Sequence, residues 1–279
     1  MWVGQQLADG LDFWGFLGSL ILGRIILGIY TGLLGYVGAK TGLSLDLLSQ
    51  RAFGEKGSYL PSAMTSFTQI GWFSVGSFVS GGTATPNFAR FAKNGKSGAI
   101  TTVVAFFIGN SLMFFFGAVS SIFVGGNDIF EVMVRLNLFY LAVLVLGLNI
   151  WTTNDNALYT AGLGLANIFH QKKKPMVLLS GIIGTVASVW LYYNFCGWLN
   201  ILNCTLPPVG MILVLAYFMN KEDFEADQPK LKTVDWFAVA GVILGAIVAN
   251  LLHWGIASIN GMVVAAVCYC VGQAVNKRK

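Results

Sequence analysis

Seven apolar runs of bilayer-crossing length leave few folds open to this chain: residues 13–37, 99–124, 137–169, 176–193, 198–219, 234–252 and 256–274. A helix needs about 20 apolar residues to cross a ~30 Å hydrocarbon core. Inside that core no water is available to the backbone, so each run must satisfy its own N–H and C=O groups as a helix. Composition agrees, with 56% hydrophobic and 10% charged residues and a mean hydropathy of +0.69. These values predict an all-α polytopic membrane protein and exclude a soluble domain. The net charge of +5 therefore reflects loop placement, with lipid as the surrounding partner and no nucleic acid implied.

Charge order orients the runs. Asp9 and Asp12 precede the first and Lys40 follows it, so the positive-inside rule puts the N-terminus outside. Residues 58–91 are unusual, being interrupted by Gly76, Gly81, Gly82 and Pro86 and flanked at both ends by positive charge, with Arg51 and Lys56 before and Arg90, Lys93 and Lys96 after. One crossing cannot place both flanks in the cytoplasm. Two arms of about twelve residues, each rising roughly 18 Å, reach mid-membrane and return, which predicts a re-entrant helical hairpin. The remaining runs then alternate to a cytoplasmic C-terminus at Lys277, Arg278 and Lys279. Fifteen of the 17 Lys and Arg fall on the cytoplasmic side, with Arg135 outside and Arg24 within the membrane.

No metal-ligand spacing joins the four cysteines, Cys196, Cys204, Cys268 and Cys270, which read as small core residues. The N-terminus lacks the basic region and short apolar segment of a cleavable signal peptide. No nucleophile and base share a helix face, and His170 and His253 lie near opposite membrane faces, so the chain does not read as an enzyme.

The run at 137–169 carries polar groups at its centre. Asn149, Thr152, Thr153, Asn156 and Thr160 fall at i, i+3, i+4, i+7 and i+11, on one helix face. Polar groups in hydrocarbon cost several kcal/mol when unsatisfied, so this stripe is expected to face a protein-lined cavity or a neighbouring helix. Arg24 stands near the middle of the first run. It either pairs with Asp155 or faces water. In the hairpin, Gln69 and Trp72 are at i and i+3, with Ser77, Phe78 and Ser80 at the glycine-interrupted turn. Aromatic faces, amides and hydroxyls form an inventory for a flat heterocycle, and also one for ordinary helix packing.

Several stretches carry a resemblance: Gly28-Ile-Tyr-Thr-Gly-Leu-Leu-Gly-Tyr-Val-Gly-Ala-Lys-Thr-Gly-Leu43, Thr68-Gln-Ile-Gly-Trp-Phe73, Gly109-Asn-Ser-Leu-Met-Phe114, Leu146-Gly-Leu-Asn-Ile-Trp-Thr-Thr-Asn-Asp-Asn-Ala-Leu-Tyr159, Gly181-Ile-Ile-Gly-Thr185 and Pro207-Pro-Val-Gly210. Together they resemble the nucleobase:cation symporter family in its bacterial cytosine-transporting branch. The likeness implies a LeuT-type inverted-repeat fold with a mid-membrane site, an inner-membrane location, a nucleobase such as cytosine as substrate, and sodium or a proton as coupling ion. It implies no cofactor and no metal beyond sodium at the ion site. By the same likeness, Gln69 and Trp72 hydrogen-bond and stack on the base, and Ser77, Phe78 and Ser80 line its other side. Asn149 meets its edge, while Thr152 and Thr153 lie near the ion.

The resemblance is to a shortened member. The likeness implies that most of the family's first helix is missing, and that between Phe73 and Gly76 the chain passes from the third helix to the middle of the sixth, without roughly helices four and five. That fusion would itself produce a hairpin, so the expected architecture is a truncated fold of seven spans and one re-entrant hairpin. Alternating access requires one bundle to move against another. Transport is therefore expected to be impaired, and the alternative is a non-transporting scaffold or base-binding protein of unspecified oligomeric state.

Overall fold

The computed structural model describes residues 13–75, 81–125, 129–226, 229, 231–252 and 254–276. Among them the secondary structure is helical, with no strand. In chain order the helices are α1 (Phe13–Thr41), α2 (Leu45–Phe53), α3 (Tyr59–Val75), α4 (Gly81–Ala84), α5 (Pro86–Ala89), α6 (Gly95–Val104) and α7 (Asn110–Val124). They continue as α8 (Ile129–Arg135), α9 (Phe139–Phe169), α10 (Lys173–Tyr193), α11 (Phe195–Met219), α12 (Lys221–Glu225), α13 (Trp236–Leu251) and α14 (Ala257–Asn276). A π-helical turn, Ala105–Gly109, joins α6 to α7.

Among the described residues, five stretches are long and apolar enough to cross a membrane: Ile21–Thr41, Gly95–Val124, Lys173–Leu191, Gly197–Met219 and Ala257–Asn276. Helix α13 is a shorter apolar helix of 16 residues. Helix α9 has the length, 31 residues, but its central polar band keeps it out of the strongly apolar class. In the 58–91 segment, α3 is one continuous helix, and the described residues that follow it form the short helices α4 and α5. The intervening residues, with Ser77, Phe78 and Ser80, lie outside the described residues.

Helix α11 is the centre of the packing, in contact with α1, α2, α3, α13 and α14. Its Val209, Ile212, Leu213, Ala216 and Tyr217 are fully buried against Leu34, Val37, Leu48, Phe53 and Tyr269. Lipid is as apolar as these side chains, so close approach through small residues is what holds such helices together. Helices α13 and α14 meet along Gly241, Gly245, Gly261 and Ala265, where a methyl group on Gly245 would press on the Gly261 carbonyl. Pro207 and Pro208 interrupt the α11 backbone ladder. The carbonyl of Asn203, which loses its i+4 donor to Pro207, accepts a hydrogen bond from Ser258 Oγ of α14 at 3.1 Å.

At the Lys/Arg-rich end the connections are tied down. Ser44 caps α2 and Asp235 caps α13. The turn after α2 docks on residues 232–235, with Glu55 N–H donating to the Lys232 carbonyl at 2.8 Å and Asp235 N–H to that of Phe53 at 2.6 Å.

Candidate solute-binding seam

Helices α3 and α9 run side by side along a seam of small residues. Ser66 Oγ donates to the Ala161 carbonyl at 3.2 Å, and Gly164 sits so close to Ser62 and Ser66 that a Cβ there would overlap both. Nearer the loop end, Asn167 Nδ2 donates to Ser58 Oγ at 3.1 Å and to Ser62 Oγ at 2.9 Å, while its Oδ1 accepts from Gln50 Nε2 at 2.6 Å. These contacts fix the register: Gln69 stands level with about residue 158 of α9.

Gln69 is buried, only 8% exposed, near the inner end of α3. Trp72 follows one turn later on the same helix, its backbone described and its side chain not. Gly71 between them allows the Trp198 ring of α11 to lie on the helix backbone. That indole is 3% exposed and closes the seam with Ala157, Leu191, Leu202 and Leu206. After the undescribed residues, α4 is held on α1, the hydroxyls of Tyr30 and Thr83 being 2.8 Å apart.

The polar stripe of α9 does not face the seam as a unit. Thr160 is buried, Thr153 is half-buried, and Asn149, Thr152 and Asn156 are exposed. Residues 157, 160, 161 and 164 form the buried edge of α9, and the stripe's first half lies outside it. Thr152 Oγ1 satisfies itself on the Leu148 and Asn149 carbonyls, each at 3.1 Å. Asn149 lies about nine residues beyond the level of Gln69, roughly 13 Å along the axis at 1.5 Å per residue. The two amides therefore do not meet at one height.

Two polar atoms at the seam, Asn154 Oδ1 and Thr160 Oγ1, are buried with no hydrogen-bond partner. Buried polar atoms are normally bonded, so these mark places where a polar partner belongs. Arg24 and Asp155 sit on helices with different neighbours: α1 packs on α4, α5, α6 and α11, and α9 on α2, α3, α8 and α10. That packing gives no support to a direct Arg24–Asp155 pair. Of the cysteines, Cys204 is buried, Cys268 is half-buried and Cys270 is exposed, all as free thiols.

The network of Asp46, Ser58, Ser62 and Asn167 was not among the residues singled out from the sequence. Its local signal was Ser58, Ser62 and Ser66 at i, i+4 and i+8, a polar line along α3. Asp46 Oδ1 accepts from Ser62 Oγ at 2.6 Å and is 5% exposed. Burial is the main cause that raises its carboxyl to about 6, with the Ser62 bond, a backbone amide and the Arg90 charge pulling the other way.

Over its full length the chain is 36% identical to the cytosine permease of Escherichia coli K12, across 372 aligned residues that make up 88% of that protein. Cytosine permeases of Escherichia coli strains O6:H1 and O157:H7 match equally. The alignment is 93 positions longer than the 279 residues here, so the relative has an internal stretch that this chain lacks. The profile of the permeases for cytosine/purines, uracil, thiamine and allantoin matches residues 1–83 and again 74–275. The two matches overlap at residues 74–83, and between them they reach nearly end to end. This chain belongs to the family of permeases for cytosine/purines, uracil, thiamine and allantoin.

Proposed function

We propose that the chain binds a nucleobase, cytosine foremost, and carries it across a bacterial inner membrane in company with sodium or a proton. The observation that carries this reading is the 36% identity to a cytosine permease along the whole chain. Gln69 offers an amide that can donate and accept along a heterocycle edge. Trp72 and Phe78 supply the two stacking faces, with Ser77 and Ser80 as further hydrogen-bonding groups and Asn149 at the outer rim. Thr152 and Thr153 stand at the ion position. The orphan atoms Asn154 Oδ1 and Thr160 Oγ1 support a polar occupant of the seam. The loop charges favour an external N-terminus and a cytoplasmic C-terminus.

A second reading has its own observation. Asn149 and Thr152 are exposed, and the relative's additional 93 residues are absent, so the moving bundle needed for alternating access is incomplete. On that reading the chain binds a base without carrying it.

Radiolabelled cytosine binding to the detergent-purified protein tests the site, with Trp72→Ala and Asn149→Ala compared in the presence and absence of sodium. Saturable binding that both substitutions abolish supports the base site. Uptake into vesicles then separates carrier from binder. A monodisperse, folded protein without saturable binding would overturn both readings.

A further inference from the structure

We propose that Asp46 is a proton-binding site at the Lys/Arg-rich end of the bundle, and that release of its proton loosens the junction of α2 with α3 and α9. The site is separate from the residues assigned to the base, and the inference holds whichever solute is carried.

Three elements converge on this carboxyl. Asp46 lies in the first turn of α2 and takes the Ser62 hydroxyl of α3 at 2.6 Å. Ser62 in turn accepts from Asn167 of α9, whose Oδ1 returns to α2 through Gln50. The adjacent Leu45 N–H donates to Asn87 Oδ1 at 2.8 Å, which ties α2 to the return arm of the hairpin. One buried acidic group thus stands where α2, both arms of the hairpin and α9 are stitched together.

Its charge is poorly compensated. Arg90, beyond α5, acts on it electrostatically but forms no ion pair with it. The Arg90 Nη2 instead donates to Tyr159 of α9, and its Nε is buried without a partner. Tyr59 on α3 and His170 just after α9 engage one another, Tyr59 Oη and His170 Nε2 being 2.7 Å apart. On α12, Glu225 bonds Tyr217 of α11 and Asp223 offers its carbonyl to Arg51. Asp235 before α13 pairs with Lys232 at 3.2 Å. None of these supplies a counter-ion to Asp46. Ionising a buried carboxyl in such surroundings is unfavourable, so the neutral acid is the form that the closed junction prefers. Above its titration point the charge is relieved by admitting water, which means parting α2 from α3.

Two measurements on the detergent-purified full chain test this. Infrared difference spectroscopy should reveal a protonated-carboxyl C=O band that titrates near pH 6, is lost in Asp46→Asn and persists in Asp46→Glu. In a cysteine-free background, spin labels at Leu47→Cys and Phe169→Cys, both exposed positions, report the α2–α9 separation. The distance distribution should be narrow at about pH 5 and broad at about pH 8, well on either side of the titration, and narrow at both in Asp46→Asn. Should Asp46→Asn not fold, Ser62→Ala serves instead, because loss of the hydroxyl shifts the band's titration to higher pH. A band indifferent to Asp46, or a pH response unchanged by its substitution, overturns the proposal.

Discussion

Ser258 Oγ donates to the Asn203 carbonyl at 3.1 Å, and this carbonyl is the one that Pro207 leaves without its helical donor. The bond carries α14 onto the central helix at the point where α11 is weakest. Away from water, an unmatched carbonyl is costly. Ser258→Ala is expected to destabilise the protein by about 1 kcal/mol, the net worth of a neutral hydrogen bond. Thermal unfolding in detergent checks this. Pro207→Ala restores the helical donor, so Ser258→Ala should cost less in that background.

Gly71 is expected to tolerate no side chain. A Cβ there would overlap the buried Trp198 ring, and overpacking typically costs about 1–3 kcal/mol. Gly71→Ala should lower the melting temperature. Adding Trp198→Phe, which removes the outer ring atoms, should recover part of the loss. Equal destabilisation in both backgrounds would count against the packing account.

The Asn167 amide joins three elements through Ser58, Ser62 and Gln50. Asn167→Leu removes these three hydrogen bonds while Ser58 and Ser62 keep theirs to the Glu55 carbonyl and Asp46, at about 0.5–1.5 kcal/mol for each bond lost. The expected outcome is a lower melting temperature. Asn167→Asp, which keeps an acceptor for Gln50 but loses the donors, should fall between.

Stability is expected to fall as pH rises. The Asp46 carboxyl is raised from its usual 3.8 to about 6 in the fold, so its stabilising preference for the neutral form is complete below about pH 4 and is lost as pH passes through 6. A shift of about two pKa units corresponds to ~3 kcal/mol between the two limits. Melting temperatures measured from pH 4 to pH 8 should decline for the native chain and stay nearly flat for Asp46→Asn. The reverse slope in the native chain would refute the assignment.

The membrane class was legible in the chain itself, because hydropathy and helix length are local properties that lipid tests one segment at a time. Family membership was legible too, in strings such as Asn149 to Tyr159. The α9 polar stripe shows the limit of such reading. Periodicity placed Asn149, Thr152, Thr153, Asn156 and Thr160 on one face, and their positions along the helix do follow from sequence. Which part of that face is buried depends on the neighbours present. Here Ala157, Thr160 and Ala161 are buried and Asn149 is exposed.

The same division separates Arg24 and Asp155, a pair suggested by depth alone, from Asp46 and Asn167, which no local pattern joins. Sequence determined that this is a helical membrane permease and where its polar residues stand along each helix. Tertiary structure decided which of them meet, since Asp46, Ser62 and Asn167 are brought together across separations of 16 and 105 residues by helix packing. Burial then gave Asp46 a titration that its residue type does not carry, because a carboxyl's preference for its charge is set by what surrounds it.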